Sequence, residues 1–376
     1  MTTPKGAREV DPIAGFEIGY RDSRVRAEFD CPAVAERLRG AFAAYGARIG
    51  EPGRDTVPTV RIRTAGGLAT ALDREDLKVP HGGGTLTCPR GLPLVHHGPP
   101  RSLVTVLQPR ICAVQLDAGD PHLPFLHYLV KYPLRRQIER QGSVLAHSSA
   151  IEAAVGASCL FLGRSGAGKT TAFVELLTHG FRVLGNDATL LTPLDGGGIE
   201  AAAWPHIVRI GHGTAAHNAV LRALPADWAR RNPKDGKAEV FFDDLDRLFG
   251  RPIAAPPSRI TTVVDLGIDI TSEGFAVRRL TEQETVRFLR ERLVNDRLPT
   301  GWLPGWTWQE NRSAVRHVAD QLAATAAIYQ VRAGVATPLW ADHLADWMRA
   351  LHPSTPAPAP NQLLPLAHPD LHQPAA

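Results

Sequence analysis

The chain has 376 residues, 44% of them hydrophobic and 21% charged. These are the proportions of a globular protein with one large domain or two ordinary ones, which excludes a fibrous or wholly disordered chain. The formal charge of +4 is carried by scattered arginines with no long basic tract, so nucleic acid is not favoured as the main partner.

Cys31, Cys88, Cys112 and Cys159 are spread out with no C-x-x-C pair, which reads as buried thiols in a reducing compartment rather than disulfides or a metal site. The N-terminal stretch Met1-Thr2-Thr3-Pro4-Lys5 lacks the apolar core of a signal peptide, and no apolar run approaches a membrane span. A soluble cytoplasmic protein with no membrane partner is expected.

Residues 1–120 carry β-type patterns. Phe16, Ile18 and Tyr20 alternate, as do Val25, Ala27 and Phe29. Pro32 opens a short helix with Val34, Leu38, Phe42 and Tyr45 on one face, stopped at Gly46. Val60 and Ile62 alternate with arginines, as in a half-exposed strand, and 103–107 with 111–116 read as a strand pair. The glycines and histidines at 81–84 and 96–98 read as loop; His96 and His97 have no second ligand pair at metal-binding spacing. The region is expected to be a small accessory α/β domain.

Residues 121–142 predict a helix. Phe125, Leu126, Leu129, Val130, Leu134 and Ile138 form its apolar stripe, Pro133 a kink, and Arg135, Arg136 and Arg140 a solvated face. Residues 144–153 then predict a single strand carrying His147, which turns at Gly156 into the apolar run Cys159-Leu160-Phe161-Leu162. Taken alone, His147 reads as a hydrogen-bonded core histidine.

The run ends in Gly163-Arg164-Ser165-Gly166-Ala167-Gly168-Lys169-Thr170, which fits G-x-x-x-x-G-K-[ST] at every fixed position. A helix over 171–179, stopped at Gly180, completes the strand, turn and helix context that a phosphate loop requires. Glycines let the backbone close on a polyphosphate, and successive amides with the helix N-terminus form an anion nest. Lys169 can reach the β- and γ-phosphates and the Thr170 hydroxyl can bind Mg²⁺. Nucleotide binding is therefore expected over 163–171, Thr171 included.

The next strand ends in Gly185-Asn186-Asp187, and a carboxylate at that tip can bind Mg²⁺ or take a proton from an attacking hydroxyl. Further on, Asp195-Gly196-Gly197-Gly198 signals a hairpin. Arg209, inside an apolar strand, calls for a partner or a phosphate. Residues 214–236 read as a helix followed by a polar loop with Lys234 and Lys237. The apolar strand 260–265 ends in Asp265, a weaker Mg²⁺ candidate than Asp187. Thr281-x-x-Glu284 is a capping box. Trp302, Trp306 and Trp308, in the loop 299–308, read as packing on the core rather than stacking on a ligand. A helix over 309–326, a strand over 328–332 and a helix from Thr337-Pro338 follow, and from Pro353 the Pro- and Ala-rich composition reads as a disordered tail.

His147, the loop 163–170 and Asn186-Asp187, in that order and at short spacing, resemble the HPr kinase/phosphorylase superfamily, in particular its HPr-kinase-related, non-bifunctional branch. The resemblance spans roughly 122–352. It implies an α/β protein whose kinase domain, 121–352, has a fold like that of phosphoenolpyruvate carboxykinase, preceded by the accessory domain 1–120 and followed by the tail 353–376. It further implies ATP and Mg²⁺ as cofactors, Lys169 on the transferring phosphate, Thr170 and Asp187 on the metal, Asp187 as general base, and His147 as the active-site histidine. Two features depart from the family. Asn186 stands where the family usually has a first aspartate, and the acidic residue followed by R-G-x-G that marks the bifunctional enzymes is absent.

The expectation is an ATP-dependent kinase acting on a hydroxyl of a protein, a peptide or a small metabolite. Its rivals are a nucleotide-binding switch without a dedicated acceptor, a carboxykinase-like lyase, for which Arg209 is the one inward arginine available, and a nucleic-acid kinase. Self-association stays open.

Overall fold

In the β1–β2 hairpin, β1 (Ala14–Tyr20) and β2 (Ser23–Phe29) pair antiparallel with Tyr20 opposite Ser23, so Arg21 and Asp22 form the whole turn. Two-residue hairpin turns need a positive φ, and Arg21 supplies it at 53°. The structure is a computed structural model. It describes residues 14–53, 57–63, 84–87, 93–97, 102–107, 110–115, 123–232, 235–269, 272–293, 312–336 and 339–352, with only the backbone path described at Arg63 and over 84–115.

The alternation in β1 and β2 turns Phe16, Ile18, Val25, Ala27 and Phe29 to one face, all fully buried. Helix α1 (Pro32–Ala44) buries Val34, Leu38 and Phe42 on that face and ends at Gly46, whose φ of 77° reverses the chain into the edge strand β3 (Arg48–Gly50). Strand β4 (Thr59–Arg63) runs parallel to β2 and to β8 (Arg110–Gln115). Strands β5 (Gly84–Thr87), β6 (Pro93–His97) and β7 (Ser102–Leu107) complete an eight-stranded sheet of order β3-β1-β2-β4-β8-β7-β6-β5. The loop expected at 81–84 and 96–98 is corrected where it can be seen: Gly84 pairs with His96, and His97 with Ser102. Glycine and histidine punctuation masked a short β-meander there.

Helix α2 (Leu123–Arg140) lies between this sheet and the rest of the chain. Its stripe of Leu126, Leu129, Val130, Leu134 and Ile138 shares one apolar cluster with Phe16, Val25 and Ile62 on one side and with Leu145, Leu190 and Trp204 on the other. With cover on two sides, the face expected to be solvated is not. Arg135 is 2% exposed, and it donates from Nε to Glu139 Oε1 at 2.8 Å.

The second sheet is built from β9 (Val144–Ala146), β10 (Ser149–Ala154), β11 (Ala157–Leu162), β12 (Arg182–Gly185), β13 (Thr189–Pro193), β14 (Ile199–Ala203), β18 (Ser258–Asp269), β19 (Phe275–Arg279) and β20 (Ala327–Gly334). The main path runs β12-β10-β11-β18-β14-β13-β9, and β20 pairs with the C-terminal part of β18 and carries β19. Strand β11 is antiparallel to β10 and parallel to β18, so the sheet is mixed. A third, small sheet has the order β15 (Val208–Ile210), β17 (Ala238–Val240), β16 (Arg230–Arg231).

The two ends of the main path are joined by very short links. Only His147 and Ser148 separate β9 from β10, and only Asn186, Asp187 and Ala188 separate β12 from β13. A chain advances at most about 3.6 Å per residue, so these links force the sheet to curl back on itself. The single strand expected over 144–153 is accordingly broken at His147, where the chain leaves one flank of the sheet for the other.

Helix α3 (Lys169–Thr178) and α9 (Trp340–Leu351) cover one face with Phe173, Leu176, Trp340 and Leu344; α7 (Glu282–Arg292) and α8 (Arg312–Thr325) cover the other with Phe288, Leu289, Val318 and Leu322. Thr281 and Glu284 form the expected capping box: the Thr281 amide donates to the Glu284 carboxylate at 2.9 Å, and the Glu284 amide donates to the Thr281 hydroxyl at 3.3 Å. The short α4 (His212–His217) and α5 (Ala219–Arg222), with α6 (Phe242–Phe249), flank the small sheet. The protein is thus of the α/β class. No helix among the described residues is long and apolar enough to cross a membrane. The tryptophan loop 299–308, Lys234, Pro338 and the tail from Pro353 lie outside the described residues.

Candidate functional site

The phosphate-loop segment sits at the C-terminal end of β11 and opens α3. Gly166 and Gly168 take φ of 82° and 89°, a region that L side chains rarely occupy, and Gly168 is the N-cap of α3. At Gly163 an added Cβ would lie 2.8 Å from the Ala167 Cβ and 2.9 Å from the Leu266 carbonyl oxygen; at Gly168 it would lie 2.6 Å from the Ile268 side chain. The loop is thereby clamped on the end of β18, where the Ile268 amide donates to the Ala167 carbonyl at 3.0 Å. The amides of Ser165, Gly166 and Gly168 have no protein acceptor among the described residues. Unpaired amides beside a helix N-terminus are the donor set an anionic group needs.

Lys169 is 7% exposed, and its ammonium folds back over the loop, donating to the carbonyls of Gly163 at 2.9 Å and Arg164 at 3.2 Å. Burial pushes its pKa below the ordinary lysine value, and the carboxylate of Asp187 opposes that shift. Asp187 therefore lies within electrostatic reach of Lys169. The two hydroxyls that follow differ. Thr171 Oγ1 is 2.9 Å from Thr214 Oγ1 of α4, whereas the half-buried Thr170 hydroxyl has no protein partner among the described residues. Thr170 is free to ligate; Thr171 ties the loop's helix to α4.

Asp187 and His147 occupy the two short links of the curled sheet. Asp187 is at φ 63°, left-handed, a conformation aspartate tolerates better than most residues. The turn closes so tightly that an added Cβ on Gly185 would lie 2.6 Å from Thr189 Oγ1 and 2.7 Å from the Ala188 carbonyl. His147 Nδ1 is 3.1 Å from the main-chain oxygen of Asp187. A carbonyl only accepts, so Nδ1 carries the proton, and in the neutral ring Nε2 keeps its lone pair. Both side chains are half-buried, Asp187 near the ammonium of Lys169.

Asn186 points the other way. It is 1% exposed, and its Oδ1 accepts from Ser149 Oγ on β10 at 2.8 Å. Its Nδ2 is buried without a partner. The amide thus fastens β12 to β10 from inside the sheet, and Asp187 is the one acid in this link.

Two further candidates lie elsewhere. Asp265 pairs with Arg332 at 2.6 Å and accepts from Gln330 Nε2 at 3.0 Å, both on the adjacent β20. The strand does not end there but continues to Asp269, so this acid serves cross-strand pairing. Arg209 pairs with Asp235 at 2.8 Å and lies 3.8 Å from Glu239, its cross-strand neighbour. That satisfies the partner its apolar strand demanded and leaves the carboxykinase-like alternative without its inward arginine. Among the described residues no cluster of three or more His, Cys, Asp or Glu side chains could hold a metal by itself.

One group of buried polar residues carried no sequence signal. His206 is 7% exposed, with Nδ1 3.2 Å from Lys131 Nζ and Nε2 3.2 Å from the Tyr128 hydroxyl. Lys131 also donates to the Pro205 carbonyl at 2.8 Å. Burial and the neighbouring Lys131 hold the His206 pKa well below the usual histidine range, and His147 contributes in the same direction, which places this group behind the His147 link. Helical spacing marks Tyr128 and Lys131 as neighbours on α2, but nothing local links them to His206.

Compared with known proteins, the chain matches no family model and no curated protein sequence.

Proposed function

We propose that this protein is an ATP-dependent kinase that phosphorylates a hydroxyl of a serine-type protein or peptide acceptor or of a small hydroxylated molecule, with a catalytic domain of the HPr-kinase-related type. The observation that carries the reading is the convergence of three groups: the unpaired amides of the phosphate loop, Lys169 at its centre, and Asp187 with His147 on the adjoining links. Loop amides and Lys169 hold the polyphosphate; the Thr170 hydroxyl and the Asp187 carboxylate would hold Mg²⁺, which supplies neutralising charge when bound. The acceptor oxygen forms a bond to the γ-phosphorus as the bond to the ADP oxygen breaks, and the hydroxyl proton passes to Asp187. His147 fixes the Asp187 main chain and keeps a lone pair on Nε2. Positioning and charge account for most of the acceleration, since phosphoryl transfer needs little covalent help from the protein.

The second reading, a nucleotide switch without a dedicated acceptor, is favoured by one observation: Asn186 is turned into the sheet and leaves Asp187 as the one acid at this tip. Incubation of peptide and metabolite pools from the source cell with ATP and Mg²⁺, followed by mass spectrometry, separates the two. A phosphate-sized mass gain that vanishes in Lys169→Ala identifies a kinase and its acceptor. ATP binding with no gain in any pool moves the assignment to the switch.

A further inference from the structure

On the side of the molecule where the accessory sheet meets the second sheet lies a cavity of about 800 Å³. Sites for small ligands have volumes of roughly 300–1,000 Å³. No residue of the phosphate loop lines it, nor do His147 and Asp187. Its walls are formed largely by residues with little or no side chain, among them Ala43 and Ala44 of α1, Ala203 of β14, and Pro252, Ala254 and Pro256 in the segment before β18. The slot exists because these residues stop short of one another. Its apolar lining suits a flat or branched hydrocarbon group.

The charges at its two ends are complementary and incompletely satisfied. At one end Arg48, on the exposed edge strand β3, lies along Gly19, and its guanidinium donates to the Arg21 carbonyl. It pairs with no carboxylate among the described residues; Asp22 is exposed on the rim without an ion pair to it, and Arg21 is taken by Glu200. At the other end stand Asp243 and Asp246 of α6. Asp243 Oδ2 pairs with Arg37 and Arg247, but its Oδ1 is buried with no donor. Asp246 accepts from the Ile253 amide at 2.7 Å, yet burial and the neighbouring Asp243 still raise its pKa above the ordinary carboxylate value. One end therefore lacks an anion and the other lacks a cationic donor, with an apolar slot between them.

We propose that this cavity is a second ligand site that binds an α-amino acid with an apolar side chain, its carboxylate on Arg48 and its ammonium on Asp243 and Asp246. The site stands independently of the phosphate-transfer reading. A polyanion is repelled by the α6 end and a simple amine leaves Arg48 unpaired, so a zwitterion is the class that meets both deficits.

Isothermal titration of the full chain with L-phenylalanine, L-leucine and L-tryptophan tests it, with phenylalaninamide and N-acetylphenylalanine as probes lacking one charge each. At least one free amino acid is expected to bind saturably below about 10 mM, and each phenylalanine derivative to bind at least about tenfold more weakly than phenylalanine. In Arg48→Ala, phenylalanine is expected to fall to the affinity that phenylalaninamide has for the unchanged protein. In Asp246→Asn, which keeps the acceptor for the Ile253 amide, it falls toward that of N-acetylphenylalanine. No saturable binding of any free amino acid overturns the proposal, as does equal binding of the amide and the free acid. Neither of those outcomes depends on a variant folding.

Discussion

His147 Nδ1 donates to the main-chain oxygen of Asp187 across 3.1 Å, and that bond joins the two links that let the second sheet curl back on itself. The bond gives His147 two separable roles, a donor on Nδ1 that holds the turn and a lone pair on Nε2. Asparagine can replace the first without the second. His147→Asn is expected to keep thermal stability and nucleotide affinity near those of the parent while phosphoryl transfer falls, and His147→Ala to lose turn stability as well. Differential scanning calorimetry and a transfer assay read the two roles apart. Transfer by His147→Asn at the parent rate would assign His147 to the turn alone.

Asp187 combines a carboxylate with a left-handed backbone. Asparagine tolerates that conformation, whereas alanine pays roughly 1 kcal/mol or more for it. Asp187→Asn is therefore expected to leave stability and nucleotide binding nearly intact while lowering transfer by about 10²–10⁴-fold, the range for loss of a general base. Asp187→Ala should lose transfer and also unfold at lower denaturant. A fully active Asp187→Asn would remove the base assignment.

The two substitutions also mark what sequence could and could not reveal. The phosphate loop is legible because its chemistry is local: Gly166 and Gly168 are needed for φ, and Lys169 and Thr170 for their functional groups. The Thr281 and Glu284 capping box is legible for the same reason. The break at His147 is not. Residues 144–153 contain no glycine or proline, and the strand divides because Val144–Ala146 find a partner in β13 while Ser149–Ala154 find theirs in β11 and β12. Arg135 is misjudged for a related reason: only the accessory sheet, distant in sequence, covers the second side of α2. The sense of Asp265 likewise depends on Arg332, far along the chain and invisible to a motif.

Gly185 tests the turn itself. Its added Cβ would meet Thr189 Oγ1 at 2.6 Å and the Ala188 carbonyl at 2.7 Å, one of them backbone, so the 185–189 turn must open to accept a methyl group. Gly185→Ala is expected to cost about 1–3 kcal/mol, as other overpacked interior positions do. It should also impair transfer more than nucleotide affinity, because Asp187 moves while the phosphate loop does not. Chemical denaturation and equilibrium nucleotide binding on the same variant check both parts. A variant with parental stability and transfer would mean that the turn is looser than its contacts imply.

Two buried histidines set an acid limit on the fold. His127 is fully buried with both ring nitrogens unpartnered, stacked 4.6 Å from Phe42 and edge-on to Phe241. Burial, then Lys131 and Arg37, hold its pKa well below the usual histidine value, and His206 is depressed in the same way by burial and Lys131. A histidine whose folded pKa lies below its unfolded value is neutral in the fold and protonated in the unfolded chain once the pH drops under about 6.5. Stability from these groups is therefore complete above that pH and lost as pH falls, at up to about 1.4 kcal/mol per pH unit for each histidine. His127→Phe places an apolar ring in the same stack and should flatten the stability-against-pH slope between about pH 6.5 and 5 by close to one proton's worth. The burial-raised carboxyls of Glu175 and Asp246 act in the opposite sense but are unchanged by the substitution. Urea denaturation of parent and variant across that range measures the difference directly, and identical slopes would show that His127 does not titrate with unfolding.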